Sequence, residues 1–257
     1  MNYDNRTQGQ GALYESVMNN SSARTQNATN YAGAQTDYAG TQTDYMTGVT
    51  ATISRRAYNG IIGLIVLWGV GLDTFICYYF RDALTATFQN SWAMILLYLA
   101  LTIGGIVIVN KAESPLVSFL GYNLLVVGFG ITLTMVVEFY APAVVLEAFL
   151  VTAIVTALML LMGTLWAEFF KSLGRVLVIG LIGVIIVEAG LLLFTGTYPT
   201  WISVISAILF SGFIGYDWAK AQESTPTAKN AVLFATSLYV DIVNLFLDIL
   251  RILGKSR

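Results

Sequence analysis

Seven long apolar runs constrain this chain more than any other feature of its sequence. Each run is close to the ~20 residues that an α-helix needs to cross the hydrocarbon core of a bilayer. A lipid-exposed strand would leave unpaired backbone amides, so the spans must be helices. The sequence therefore predicts an all-α membrane protein with seven transmembrane helices. The runs lie near residues 58–80, 91–110, 116–138, 143–166, 173–194, 200–219 and 230–253.

Composition agrees with this class and excludes several functions. Only 11% of the residues are charged, whereas a soluble domain carries roughly 25%. The chain has no histidine and one cysteine, Cys77, which excludes a Ser-His-Asp triad, a histidine-ligated metal and an intrachain disulfide. No basic run indicates nucleic acid. We therefore expect a protein that is not an enzyme, has no cofactor and does not bind nucleic acid.

The first 54 residues differ from the rest in being polar and rich in Asn, Thr, Gln, Gly and Tyr. Within them, Tyr-Ala-Gly-x-Gln-Thr-Asp occurs at residues 31–37 and again at 38–44. Such polar segments stay disordered because burial cannot offset the loss of chain entropy. We predict a disordered tail over 1–54 and a membrane domain over 55–257. A tyrosine-based docking motif in the tail is the alternative interpretation.

The distribution of Lys and Arg predicts a cytosolic amino terminus, because cytosolic loops carry the excess of these residues. With that terminus inside, nine basic residues fall inside and four outside. The inside set is Arg6, Arg24, Arg55, Arg56, Lys111, Lys171, Arg175, Lys220 and Lys229. The outside set is Arg81, Arg251, Lys255 and Arg257. The basic carboxyl end leaves open whether the last run crosses fully or is re-entrant.

Ionisable residues inside the spans are the candidates for function, because they are costly in lipid and usually face a cavity or a partner. All of them are acids, and no basic residue lies at mid-span depth. Carboxylates in such surroundings must take up a proton, share one or bind a cation. The candidates are Asp73, Glu147, Glu188, Asp217, Asp241 and Asp248.

The seventh run concentrates these polar residues on one helix face. Ser237, Asp241, Asn244, Asp248 and Arg251 are spaced 4, 3, 4 and 3 residues apart. A polar stripe of this length cannot face lipid, so we expect this helix inside the bundle. The last two can form an ion pair at i, i+3. Interhelical hydrogen bonding that only holds the bundle together is the alternative for the stripe.

The sixth run carries Asp217, two residues before its predicted end. Pro226 predicts a new helix start, so the sixth and seventh runs form an antiparallel pair in which Asp217 and Asp241 can meet. A pair that meets would titrate as a unit. The alternative for Asp217 is an acid at the membrane interface. For Asp73 and Glu188, structural pairing and the lining of an ion pathway remain equal alternatives.

Four stretches of sequence resemble the Bax inhibitor-1 family (transmembrane Bax inhibitor motif). Ser-Leu-Tyr-Val-Asp-Ile-Val-Asn-Leu-Phe at 237–246, followed by Leu250-Arg251, is similar to the carboxyl-terminal signature of that family. Residues 213–217, 144–149 and 130–133 resemble motifs of its sixth, fourth and third helices. The similarity covers 55–254, and the chain resembles a bacterial-type member located in the plasma membrane.

The resemblance implies six helices around a central seventh and a pH-sensitive calcium leak. It also implies that Asp217 and Asp241 share a proton at the cytosolic mouth, with calcium as the transported ion that they can contact. In bacterial relatives an arginine near the end of the second helix can pair with the aspartates. Here Lys111 stands in that region, and an ammonium is a point charge rather than a planar fork.

Three classes of function follow from these residues. The leading hypothesis is a passive cation channel that prefers calcium, since calcium binds oxygen ligands. The second is a regulatory protein that binds a membrane-bound protease or a stress-response partner through its tail and loops. The third, an intramembrane aspartyl protease, is disfavoured because Asp241 follows Leu-Tyr-Val instead of the Gly-x-Gly of such proteases.

Overall fold

The structure of the protein is a computed structural model, which describes residues 51–88, 92–196 and 199–255. Within these ranges the chain forms nine helices, and seven of them are long and apolar enough to cross a membrane. The all-α class with seven spans is therefore confirmed. Of the predicted disordered tail, residues 1–50 lie outside the described residues, whereas residues 51–54 are described. The helices are α1 (Arg55–Tyr79), α2 (Arg81–Phe88), α3 (Trp92–Lys111), α4 (Pro115–Val137), α5 (Pro142–Leu165), α6 (Ala167–Ser172), α7 (Gly174–Thr195), α8 (Thr200–Glu223) and α9 (Ala228–Lys255).

The helix ends carry recognisable sequence signals. Ser54 caps α1, because its side chain accepts a hydrogen bond from the backbone N–H of Ala57. Pro115 and Pro142 each stand in the first turn of a helix, where the missing proline N–H costs nothing. Gly196 follows α7 with a φ of 62°, the left-handed conformation that commonly ends a helix.

The observed spans match the apolar runs to within a few residues at most ends. The exception is α8, which continues to Glu223, although its apolar run stops at residue 219. Asp217 consequently lies six residues before the end of the helix, about 9 Å along its axis. Two short helices, α2 and α6, occupy segments that the sequence marked only as interruptions between spans.

The last helix, α9, is the most enclosed of the seven spans. In its most apolar window 61% of the residues are buried, compared with 11% for α7. It packs against α1, α3, α4, α5 and α8. The arrangement of the other six spans around α9 remains a prediction.

The same helix crosses the whole bundle. Just before its start, Thr227 pairs with Thr52, which precedes α1. Near its other end, Gly254 abuts the ring of Tyr140, which follows α4. Three spans separate Thr52 from Tyr140, so these two residues lie on opposite faces. The 28 residues of α9 extend about 42 Å, so the seventh run crosses fully and is not re-entrant.

Three tyrosines lie at the centre of the bundle, whereas large apolar side chains cover its outside. Tyr58, Tyr122 and Tyr239 are fully buried. Large apolar side chains such as Leu64 and Ile179 are about 70% exposed, which suits a surface that faces lipid instead of water.

A ridge of small residues, spaced four residues apart along α8, allows close helix contact. It comprises Ser203, Ala207, Ser211 and Gly215. At one point along it, a β-carbon on Gly163 of α5 would lie 2.6 Å from the carbonyl oxygen of Gly215. The backbones of α5 and α8 therefore touch, as small residues permit in membranes.

Candidate functional site

The carboxyl groups of Asp217 and Asp241 lie within hydrogen-bonding reach of each other. The short connection between α8 and α9 makes the two helices antiparallel neighbours. Asp241, at the midpoint of α9, is only 7% exposed, and Asp217 is half-buried. Two carboxyl groups can hydrogen-bond to each other only if one of them carries a proton. The arrangement can therefore hold a shared proton and exchange it as a unit.

A serine hydroxyl and a lysine charge act on Asp217. The hydroxyl of Ser237, one turn before Asp241 on α9, lies within reach of Asp217. The second carboxyl oxygen of Asp241, Oδ2, has no hydrogen-bond partner among the described residues. The charge of Lys220, one turn along α8, acts on Asp217. Lys220 thus places a positive charge near the pair, on the side of Asp217.

Lys111 does not take the place of the expected arginine. It is exposed at the end of α3, and no ion pair in the described part of the chain joins it to either aspartate. The physical reason is position: Lys111 ends its helix at the surface, whereas Lys220 is three residues from Asp217 on the same helix.

Asp248 and Arg251 form a second polar group near the far end of α9. Arg251 Nη1 donates to Asp248 Oδ1 at 3.2 Å. The Asp248 side chain is 2% exposed and the Arg251 side chain 33%. Ser206 of α8 lies within hydrogen-bonding reach of Asp248, and the charge of Glu188 of α7 acts on it. The structure therefore brings Glu188 to the Asp248–Arg251 pair.

Asn244 and Glu147 are two further candidates among the described residues. Asn244 is half-buried and donates through Nδ2 to the carbonyl of Val240 at 2.8 Å. The side-chain amide of Asn244 thus bonds to a backbone carbonyl of its own helix. Glu147 is half-buried in the second turn of α5.

Asp73 pairs with a residue that sequence reasoning overlooked. The hydroxyl of Tyr239 donates to Asp73 Oδ2 at 2.6 Å, across 166 positions of sequence. Tyr239 stands inside the carboxyl-terminal signature, two residues before Asp241, so its place next to a predicted site residue was the available signal.

A second contact that the sequence did not indicate joins the start of α1 to the α8–α9 connection. We call these contacts the clasp; it ties the segment that follows the tail to the connection between the helices that carry Asp217 and Asp241. The Ile53 N–H donates to the carbonyl of Pro226 at 2.8 Å. The Arg55 guanidinium donates to the carbonyls of Ala221 and Ser224 at 3.2 and 3.0 Å. The side-chain amides of Asn59 and Gln222 donate to each other at 3.2 and 3.1 Å.

Outside the spans, one ion-pair group holds the end of α8. Lys171 Nζ lies 2.7 Å from Glu168 and 3.2 Å from Glu223. The hydrogen bonds to Glu168 and then to Glu223 raise the pKa of Lys171, because they favour its charged form. The contact links α6 to α8 on the same face as the clasp.

The acids do not form a resident metal site within the described residues. No group of three or more His, Cys, Asp or Glu side chains is close enough together to hold an ion. Calcium takes six to eight oxygen ligands, and the pair supplies two carboxyl groups.

Comparisons with known proteins identify the family. A family model described as "Inhibitor of apoptosis-promoting Bax1" matches residues 50–257. An uncharacterized membrane protein of Streptococcus pyogenes serotype M6 is 32% identical over 75% of this chain and 90% of its own. Inner membrane protein YbhL of Escherichia coli K12 is 27% identical, over 74% and 87%. The Golgi anti-apoptotic protein of Vaccinia virus is 30% identical, over 79% and 84%. The chain therefore belongs to the Bax inhibitor-1 family of membrane proteins.

Proposed function

We propose that the protein is a pH-sensitive cation leak channel that passes calcium and is gated by Asp217 and Asp241. The observation that carries the proposal is the contact between these two carboxyl groups, one on each helix of the α8–α9 pair. Their contact depends on how many protons they hold, so the protonation state biases two arrangements of the helices.

Burial makes this contact sensitive to protons. A buried carboxyl group whose second oxygen lacks a partner is poorly compensated when it carries a charge. Asp241 is such a group. If the pair gives up its shared proton, two like charges face each other and the hydrogen bond is gone. The pair can then separate, which opens a path along α9.

Calcium suits the residues that would line this path. The stripe on α9 offers carboxyl and amide oxygens at Asp241, Asn244 and Asp248, and calcium prefers oxygen ligands. Measurement of calcium entry into proteoliposomes between about pH 5 and pH 8 tests the proposal, with Asp217→Asn and Asp241→Asn as the variants.

The proposal also includes the membrane and the side that the amino terminus faces. We place the protein in a bacterial plasma membrane with the amino terminus in the cytosol, because nine of thirteen basic residues then fall inside. Since α9 crosses fully, the two ends of the chain lie on opposite sides. Green fluorescent protein, which is not fluorescent when exported unfolded, should fluoresce when fused to the amino terminus and not to the carboxyl terminus. The reverse pattern would contradict this orientation.

The clasp favours a second candidate function, a regulatory protein that binds a membrane-bound partner through its tail. Ile53 and Arg55, at the start of the membrane domain, bond to the α8–α9 connection, so a partner that pulled on this segment would act on the helices that carry Asp217 and Asp241. One viral relative is named an anti-apoptotic protein, which is a regulatory role.

Deletion of residues 1–50 distinguishes the two functions. The deletion leaves the clasp residues in place, so we expect calcium flux in proteoliposomes to stay within about twofold of the full-length chain. A cellular phenotype lost while this flux persists would favour the regulatory function. Loss of flux from correctly folded protein would contradict the assignment of the tail to partner binding alone.

A further inference from the structure

Asp73 is buried against the last helix on the side away from Asp217. It lies on α1, is 5% exposed, and accepts the hydroxyl of Tyr239 through Oδ2 at 2.6 Å. Its other oxygen, Oδ1, has no hydrogen-bond partner among the described residues. This oxygen faces Gly130 of α4, where a β-carbon would lie 3.0 Å away. The carboxyl group is thus held by one strong contact, and that contact is to α9.

The groups around Asp73 are phenols and a thiol. Tyr122 of α4 packs its ring edge-on against Tyr239, with centroids 5.4 Å apart. Its hydroxyl donates to the carbonyl of Ile65 at 2.7 Å, so this hydrogen bond joins α4 to α1 and not to α9. Cys77, one turn along α1, contacts the Gly130 carbonyl and Thr134. In the described part of the chain no lysine or arginine pairs with Asp73.

Tyr239 and Asp241 point to opposite sides of α9. They are two residues apart, which is about 200° of rotation at 100° per residue. Tyr239 bonds to Asp73 on α1, and Asp241 contacts Asp217 on α8. The helix is therefore fixed in rotation by two acid contacts at nearly the same height. A rotation of α9 that separates Asp241 from Asp217 also pulls the Tyr239 hydroxyl away from Asp73.

We propose that Asp73 is a positioning residue of the gate. Its hydrogen bond to Tyr239 sets the rotation of α9 and so determines how closely Asp241 approaches Asp217. The inference rests on the proposed function, since it assigns a role in the same gate. It adds a third acid, from the first span, to a gate otherwise assigned to the sixth and seventh.

The test monitors the region of the aspartate pair by tryptophan fluorescence and does not measure ion flux. Trp218 adjoins Asp217, and its Nε1 donates to Thr164 Oγ1 of α5 at 2.8 Å. In a protein whose other four tryptophans are phenylalanine, the emission of Trp218 reports on this region of α8. The emission is titrated with pH for the parent protein, Tyr239→Phe, Asp73→Asn and Tyr122→Phe. Thermal unfolding is measured on the same four samples.

We expect Tyr239→Phe to move the midpoint of the titration by about 0.7 pH unit, because it removes the bond to Asp73. This shift corresponds to about 1 kcal/mol at about 1.4 kcal/mol per unit. Asp73→Asn should stay close to the parent, since its amide oxygen still accepts the phenol hydroxyl. Tyr122→Phe is the matched control: it removes a hydroxyl from the same cluster but leaves α9 bonded, so its midpoint should not move.

Two outcomes would overturn the inference. One is an unchanged midpoint in Tyr239→Phe together with a lower unfolding temperature, which would make the contact structural only. The other is a parent protein whose Trp218 emission does not respond to pH. Failure of the proposed function looks different: proteoliposomes would pass no calcium, while the Trp218 midpoints would still differ between Tyr239→Phe and Tyr122→Phe.

Discussion

Replacement of Arg251 by leucine is expected to lower the unfolding temperature by about 6–12 °C in detergent, measured by thermal denaturation. The guanidinium lies 3.2 Å from a carboxyl group that is 2% exposed. The substitution leaves Asp248 buried without this cation. Removal of one partner from a buried ion pair costs about 3–5 kcal/mol. We expect the lower end of that range, because Arg251 is one-third exposed and water screens part of its charge.

The surface pair between Arg81 and Glu138 provides the matched control. Its atoms are 3.6 Å apart, and both side chains are at least one-third exposed. Such exposed pairs contribute about 0–1 kcal/mol, so Arg81→Leu should change the unfolding temperature by no more than about 3 °C. Adding Asp248→Asn to Arg251→Leu should restore most of the loss, because position 248 then carries no charge. Equal losses in the two arginine variants, or no recovery in the double variant, would contradict the explanation.

The seven spans could be predicted because their signal is local. A helix in lipid must satisfy its own backbone and present about 20 apolar residues, and both conditions can be read from one segment at a time. Most boundaries were also predictable, since proline and charged residues mark the interruptions. The end of α8 was not, because apolarity stops near residue 219 while the helix continues to Glu223.

The contacts between helices were less accessible to sequence. The approach of Asp217 to Asp241 could be anticipated because α8 and α9 are joined by a short connection, which makes them neighbours. No such rule joins Asp73 to Tyr239, which are 166 residues apart. Whether Lys111 could reach the aspartates was equally hidden, since that depends on how α3 lies against α8 and α9.

The clasp shows why the remainder could not be predicted. Three of its five bonds use backbone carbonyls at residues 221, 224 and 226 as acceptors, and every residue has a carbonyl. The identity of these residues therefore carries no signal, and only the tertiary arrangement decides which carbonyl Arg55 meets. In contrast, an acid within an apolar run can be recognised from the sequence as a candidate for a contact, because its cost in lipid requires a partner.

Asparagine at position 241 is expected to reduce calcium entry into proteoliposomes at least about tenfold and to abolish its dependence on pH. The amide N–H of asparagine can donate to an oxygen of Asp217 whether or not Asp217 carries a proton, so the contact no longer depends on a shared proton. A hydrogen bond to a charged group contributes about 1.5–3 kcal/mol, and about 1.4 kcal/mol is a factor of ten in the open population. Asp217→Asn should behave in the same way, since the roles of the two groups exchange.

The control for this experiment is Asp82→Asn, which makes the same chemical change on the exposed helix α2. It removes one carboxylate without touching the α8–α9 pair, so flux and its pH profile should match the wild type. The comparison separates the loss of a particular contact from the loss of negative charge on the protein. If Asp241→Asn kept the wild-type flux and pH profile, the two carboxyl groups would not be the gate. Their hydrogen bond would then serve only to hold α9 against α8, as polar contacts between membrane helices often do.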